Sequence, residues 1–134
     1  GVNNIYKFIN KNNIENIHVY QGNAIEIIED NFIDSVMDEI LIFFPDPWPK
    51  TKHRKRRILN TYSIELFFSK LKNDGTFHFA TDHIEYAYSM KDLISDYTNK
   101  KVFFSNNRRY RPITNYELRG IKRKNFIFDI ILKK

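Results

Sequence analysis

Residues 40–44 are uniformly apolar, and the run stops at Pro45-Asp46-Pro47-Trp48-Pro49. No strand can continue through that segment, because each proline lacks an N–H and fixes its own φ. Residues 39–44 therefore read as a strand that ends abruptly. A continuous apolar strand is expected to be buried on both faces, as in a parallel sheet covered by helices.

The rest of the chain alternates in the way such a sheet requires. Helical spacing of Val2, Ile5, Tyr6 and Ile9 predicts a helix over 2–12, and residues 24–29 suit a short second one. A third helix is expected over 56–71, from Leu59, Tyr62, Leu66, Phe67 and Leu71, and a fourth over 84–97. Residues 17–20 are a short strand candidate ending at Gln21-Gly22-Asn23. Asn73-Asp74-Gly75 is a turn signal before a strand over 76–80, and residues 102–104 and 126–132 read as two more strands. Strands alternating with helices argue for an α/β fold with a mostly parallel sheet. Ligands of such sheets bind outside the carboxyl ends of the strands. Gly22-Asn23, residues 45–50, and Thr81-Asp82 all fall at such ends and are expected on one rim.

Size and charge narrow the classes. A chain of 134 residues with 42% hydrophobic side chains fits one domain with a packed core. The formal net charge of +6 favours a polyanionic partner, an acidic substrate or a membrane surface. Without cysteine there are no disulfides and no thiolate metal sites, and His18, His53, His78 and His83 show no metal-ligand spacing. The apolar runs are far too short to span a bilayer, and no signal peptide is evident. A soluble, cytoplasmic protein is the expectation, or an organellar one if a transit segment lies upstream.

Six of the eight residues 50–57 are Lys or Arg, directly behind the proline-stiffened turn. A lone aspartate at a strand end usually caps a helix or pairs with a nearby cation. Asp46 stands between two prolines and beside Trp48, on a rigid platform, which favours a functional role. The turn could hold a flat, hydrogen-bonding group such as a nucleobase, and the basic block its phosphates. That block could also be a solvated helix start or a localisation patch. Basic residues recur at Arg108, Arg109, Arg111, Arg119, Lys122, Arg123 and Lys124, with Tyr110 and Phe126 among them, a mixture that suits RNA. Thr81-Asp82 and Thr114-Asn115-Tyr116-Glu117 are by themselves as readily helix caps or turns.

At these residues the chain resembles the bacterial-type tRNA (guanine-N7)-methyltransferases. The match is Phe44-Pro45-Asp46-Pro47-Trp48-Pro49-Lys50, then His53, then Lys55-Arg56-Arg57. Thr81-Asp82 with Tyr86, and Thr114-x-x-Glu117 before a final strand, also match, so the resemblance runs from about residue 15 to the end. It implies a Rossmann-like fold with an antiparallel C-terminal strand, S-adenosylmethionine as cofactor, and methyl transfer to guanine N7 in the variable loop of tRNA. It implies Asp46 as catalytic residue near the cofactor, and Asn23 at a position where the family usually has an aspartate near the adenine. Lys50, Asp82, Thr114, Asn115, Tyr116 and Glu117 would bind substrate. Lys52, His53, Arg54, Lys55, Arg56 and Arg57 would contact RNA. A monomer or homodimer without an obligatory protein partner is expected, with no membrane and no metal.

The family's glycine-rich cofactor loop and the acidic residue for the ribose have no counterpart in these residues, which contain four glycines, Gly1, Gly22, Gly75 and Gly120. The chain is therefore expected to be the carboxyl-terminal part of a longer enzyme, a single partial catalytic domain whose N-terminal strands are missing. The missing strands would sit between the strand over 17–20 and the one ending at Phe44, which would leave a gap in the sheet or pair strands that are not normally neighbours. Two rivals remain: an amino-group methyltransferase acting on adenine or cytosine, and a non-catalytic RNA-binding module.

Overall fold

A computed structural model describes residues 2–134. A first compact unit ends at Phe32, and a second runs from Ile33 to Lys134.

The first unit contains helices α1 (Val2–Lys11) and α2 (Ala24–Asn31). Asn23 is the N-cap of α2: its side-chain oxygen accepts from the Ile25 N–H at 3.1 Å and its amide donates to Glu26 at 2.8 Å. The strand expected over 17–20 does not form. Ile17 and Tyr20 are exposed, and no strand pairs with these four residues, so their backbone has no ladder to join. The Tyr6 hydroxyl donates instead to the Val19 carbonyl at 3.0 Å. Asn23 thus stands at a helix start and not at a strand end.

The second unit is a four-stranded sheet with helices. Strand β1 (Met37–Phe43) leads through a 3-10 helix (Thr51–Arg56) to helix α3 (Thr61–Lys70). Strand β2 (Leu71–Thr81), helix α4 (Ile84–Thr98), strand β3 (Phe104–Ser105), helix α5 (Asn115–Lys122) and strand β4 (Phe128–Lys133) follow. The order is β1-β2-β4-β3. β1 and β2 pair in parallel, while β4 pairs antiparallel with both β2 and β3. Three strands therefore share one direction, and the C-terminal strand is reversed between two of them.

β2 organises the core because its two faces meet different chemistry. Phe77 and Phe79 are fully buried toward the helices: Phe67 and Phe68 of α3 lie on Phe77, and Tyr86 of α4 lies edge-on to Phe79. Each such side chain contributes about 1.5–3 kcal/mol by leaving water. His78 points to the opposite face, beside Phe43 and against Asp129 of β4.

Three local expectations are corrected by packing. β1 is an edge strand with only Ile40 buried, and Leu41 is 42% exposed, so it is not covered on both faces. The helix expected over 56–71 is interrupted at 57–60, because Asn60 and Ser63 form a capping box that starts α3 at Thr61. Asn73-Asp74-Gly75 does turn, with Asp74 at φ 64, but as a bulge inside β2. The ladder steps from Met37↔Leu71 to Glu39↔Thr76 across it. A Cβ on Gly75 would lie 2.8 Å from the Lys72 carbonyl, so the bulge needs glycine there.

Among the described residues no helix is long and apolar enough to cross a membrane.

Candidate active site

The carboxyl ends of β1 and β2 lie side by side, because the two strands are parallel and Phe43 pairs with Ala80. The ladder extends one residue further, where the Phe44 N–H donates to the Ala80 carbonyl at 2.8 Å. Phe44 then takes φ 51 and Trp48 φ 40. A bulky residue in the left-handed region costs about 1–3 kcal/mol and persists only where its surroundings enforce it. Two such residues bracket Asp46, with Pro45 and Pro47 on either side. The Asp46 side chain is exposed, and its carboxylate makes no hydrogen bond or ion pair among the described residues.

Arg57 enforces this turn. Its side chain is only 6% exposed. Nε donates to the Pro47 carbonyl at 2.7 Å, one terminal nitrogen donates to Glu85 at 2.6 Å, and the other reaches Ser89 at 3.2 Å. The guanidinium lies 4.5 Å from the centroid of the buried Tyr86 ring. Hydrogen bonding from Arg57 holds the Glu85 carboxyl below the usual glutamate range, against the opposing pull of desolvation. The last residue of the basic block is thus a buried link from the Asp46 turn to α4, which departs from the expectation of an RNA contact.

The other cations of the block are placed differently. Lys50, Lys52 and Lys55 are exposed. Arg54 lies 3.5 Å from Glu85 and remains 45% exposed on its side chain. Arg56 sits over the Trp48 ring at 5.1 Å, and the half-buried His53 packs edge-on against the same ring at 5.8 Å. These side chains form a basic, aromatic surface beside the turn.

At the end of β2, Thr81 is buried and its hydroxyl accepts from the His83 N–H at 3.2 Å. Asp82 is half-buried and accepts from the Asn125 amide at 3.0 Å. α5 closes the third side. A Cβ on Gly120 would fall 2.8 Å from an Asp82 carboxylate oxygen, so only glycine lets the helix approach this far. The three elements enclose a cavity of about 300 Å³ whose walls include Asp46, Pro47, Asp82, Tyr116, Arg119 and Arg123. Two carboxylates and two guanidiniums therefore face one space.

Beneath this cavity lies a buried charged cluster. Arg111 is 1% exposed on its side chain and bonds two carboxylates: Asp129 at 3.0 and 2.9 Å, and Glu117 at 2.7 Å. Arg108 adds a second cation to Glu117 at 2.9 Å, and His78 meets Asp129 at 2.7 Å. The Arg111 guanidinium stacks over Phe43 and Phe44 at 5.6 and 5.3 Å. Burial acts against the Asp129 charge, but the bonds from His78 and Arg111 outweigh it and hold its carboxyl below the ordinary aspartate range. Burial likewise opposes the charge on Arg111, and the bonds to Asp129 and Glu117 reverse that and push it up.

The segment 114–117 thus divides. Thr114 caps α5 by accepting from the Glu117 N–H at 3.2 Å, and Glu117 turns inward to the arginines. Asn115 and Tyr116 face outward, Tyr116 into the cavity wall. Asp46, Asp82 and Tyr116 are brought together. Glu117 and Arg57 are held in the surrounding packing, and Asn23 lies in the first unit. Arg119 and Arg123 stood in the sequence only as members of a basic, aromatic mixture, and nothing there pointed to their place, or that of Asn125, on the cavity wall. The Thr-x-x-Glu start of a capping box was the available signal for α5, and with it the i, i+4 spacing of the two arginines.

A mixed sheet with a reversed C-terminal strand, and a polar cavity at the carboxyl ends of its two paired parallel strands, define an α/β fold with a ligand site of the Rossmann-like kind. Residues 1–130 match the family described as "Putative methyltransferase", and the chain belongs to that family. It is 39% identical over 137 residues to a tRNA (guanine-N(7)-)-methyltransferase of Neisseria gonorrhoeae, covering 100% of this chain and 58% of that protein. A tRNA (guanine-N(7)-)-methyltransferase of Francisella tularensis subsp. novicida is 40% identical over 137 residues, with 100% and 60% covered. The chain thus spans somewhat under two thirds of the length of these relatives. A solved SAM dependent methyltransferase from Archaeoglobus fulgidus shares the fold, with a TM-score of 0.54, 13% identity, and 89% of this chain and 68% of that one covered.

Proposed function

We propose that the protein to which this chain belongs transfers a methyl group from S-adenosylmethionine to N7 of a guanine in tRNA, its 134 residues forming part of one catalytic domain. What most supports the reading is the Asp46 turn: an unpaired carboxylate on a strained, braced strand end, facing Asp82 across a nucleotide-sized cavity with a basic surface beside it. The names of the relatives support the same reaction.

The cofactor supplies an electrophilic methyl group on a sulfonium. The residues present suit its cationic end, because Asp46 offers an exposed carboxylate without a competing cation. Guanine N7 already carries a free lone pair, so no general base is required. Catalysis then rests on positioning and electrostatics. Asp46 holds the N–H donors of the guanine and stabilises the positive charge that develops on it. Asp82, oriented by Asn125, binds the same base from the β2 side. Glu117 acts indirectly, by fixing α5 through Arg111. Lys50, Lys52, His53, Arg54, Lys55 and Arg56 guide the RNA backbone. The protein works in the cytoplasm as a monomer or homodimer.

Isotope transfer from labelled S-adenosylmethionine to tRNA, followed by nucleoside analysis, tests this directly with the full-length protein. Label in 7-methylguanosine is the expected result. Label in an amino-methylated adenine or cytosine would replace the proposal with the first rival, and absence of transfer would refute it.

A further inference from the structure

The chain has eight arginines, and among the described residues five of them pair with carboxylates. Arg54, Arg57, Arg108, Arg109 and Arg111 form ion pairs with carboxylates. Arg56 stacks on Trp48. Arg119 and Arg123 have no carboxylate partner among the described residues; Arg119 only skirts the Tyr116 ring at 5.8 Å. Both line the cavity that contains Asp46 and Asp82. They are four residues apart on α5 and its end, which puts them on one face, one turn apart.

The cavity is therefore polar in two senses. Its floor, at the strand ends, is acidic; its α5 wall carries two uncompensated guanidiniums. A guanine alone would be served by the carboxylates and would leave the arginines without a counter-charge. We propose that Arg119 and Arg123 bind the phosphate of the same nucleotide whose base lies between Asp46 and Asp82. Guanidinium forks match phosphate oxygens two at a time, and two forks one turn apart can grip one phosphate. A cavity of about 300 Å³ is large enough to receive one nucleotide taken out of its stack. The base edge, with its N–H donors, then points to the strand ends, and the phosphate stays at the α5 mouth where the RNA chain enters and leaves. The inference rests on the proposed reaction and specifies how its substrate is held.

Competition against fluorescent tRNA, using the full-length protein, tests it. Guanosine 5′-monophosphate is expected to displace tRNA at a concentration about tenfold or more below that of guanosine, the advantage of hydrogen bonds to a charged group. In an Arg119→Gln/Arg123→Gln double variant the monophosphate should fall to the level of guanosine. Affinity for guanosine and for S-adenosylmethionine should not change. Both side chains are exposed, so the fold should persist, and the Arg119→Lys/Arg123→Lys pair should keep part of the advantage. Equal competition by the two ligands in the unaltered protein would overturn the proposal, as would an advantage that survives the double substitution, or competition by neither. A loss of S-adenosylmethionine affinity with the monophosphate unaffected would assign the arginines to the cofactor's carboxylate instead. Methyl transfer to tRNA, measured in parallel on the unaltered protein, separates the two levels. If transfer occurs and competition fails, only the phosphate assignment falls; if transfer is absent, the reaction itself is wrong.

Discussion

Two segments of this chain look alike in sequence, residues 48–57 and 108–123, since each places arginine and lysine close to aromatic rings. In the fold each divides into a buried arginine that builds and exposed cations that can bind. Arg57 ties the Asp46 turn to α4, and Arg111 ties α5 to the sheet. Lys52 and Lys55 in the first segment, and Arg119 and Arg123 in the second, stay open to solvent. Charge density therefore says little about role. What sets the two buried arginines apart from these four cations is a close carboxylate brought from elsewhere in the chain, Glu85 for Arg57 and Asp129 for Arg111; Lys52, Lys55, Arg119 and Arg123 have none among the described residues.

The difference between the two buried arginines can be tested first, where the effect is largest. Arg111→Met removes the cation that Glu117 and Asp129 share, leaving Glu117 to the half-exposed Arg108 and Asp129 to His78, and breaking such a cluster from one side typically costs about 3–5 kcal/mol. Chemical denaturation should show a loss of that order, and a loss below about 1 kcal/mol would mean that the cluster is solvated in practice. Arg57→Gln should destabilise less, by about 1–3 kcal/mol, because Glu85 can turn to water once its partner is gone. Its main consequence should be slower turnover through a loosened Asp46 turn, with tRNA affinity and its salt dependence preserved. A fall in salt slope on Arg57→Gln would return this residue to the RNA-contacting set.

The exposed cations should behave in the opposite way. Neutralising Lys52 and Lys55 together should leave the unfolding midpoint in place. It should lower the log–log salt slope of tRNA binding by about 0.7 for each single-stranded phosphate that these lysines neutralise. An unchanged slope would mean that this surface does not meet the RNA backbone.

The smallest effect is a matter of pH. Asp129 has a lowered pKa in the fold, so it binds protons less readily there than in the unfolded chain. Its contribution to stability is complete above the ordinary aspartate range and is lost as pH falls through the folded value. Thermal unfolding followed from about pH 6 to pH 3 should show that decline, and Asp129→Asn, though less stable at neutral pH, should show a shallower one. Parallel curves for the two proteins would contradict the assignment.

Much of this arrangement was legible beforehand. The prolines after Phe44 stop β1 wherever it is placed, and the apolar periodicity of α3 and α4 needed no tertiary information. The reversed C-terminal strand followed from the family resemblance. The strand expected over 17–20 failed because a strand exists only with a partner, and none pairs with those residues. β1 read as doubly buried because apolar composition does not report whether a strand lies at an edge. The burial of Arg57 and Glu117 was not legible for one shared reason: the partner of Arg57 lies 28 residues away, and the partners of Glu117, Arg108 and Arg111, lie on a loop whose course the sequence does not show. Arg119 and Arg123 became meaningful only when Gly120 brought α5 against Asp82.

In the proposed reaction Asp46 is a charge placed for chemistry on a turn that the rest of the fold holds rigid. Asp46→Asn, in the full-length protein with tRNA and S-adenosylmethionine both saturating, tests it most directly. The side chain is exposed and its turn is set by Pro45, Pro47 and Arg57, so folding and tRNA affinity should be unchanged. Turnover should fall by about 100- to 1000-fold, the usual consequence of removing one electrostatic stabiliser of developing charge. Retention of more than roughly a third of the turnover, far above that range, would contradict the claim and leave Asp82 as the carboxylate to examine.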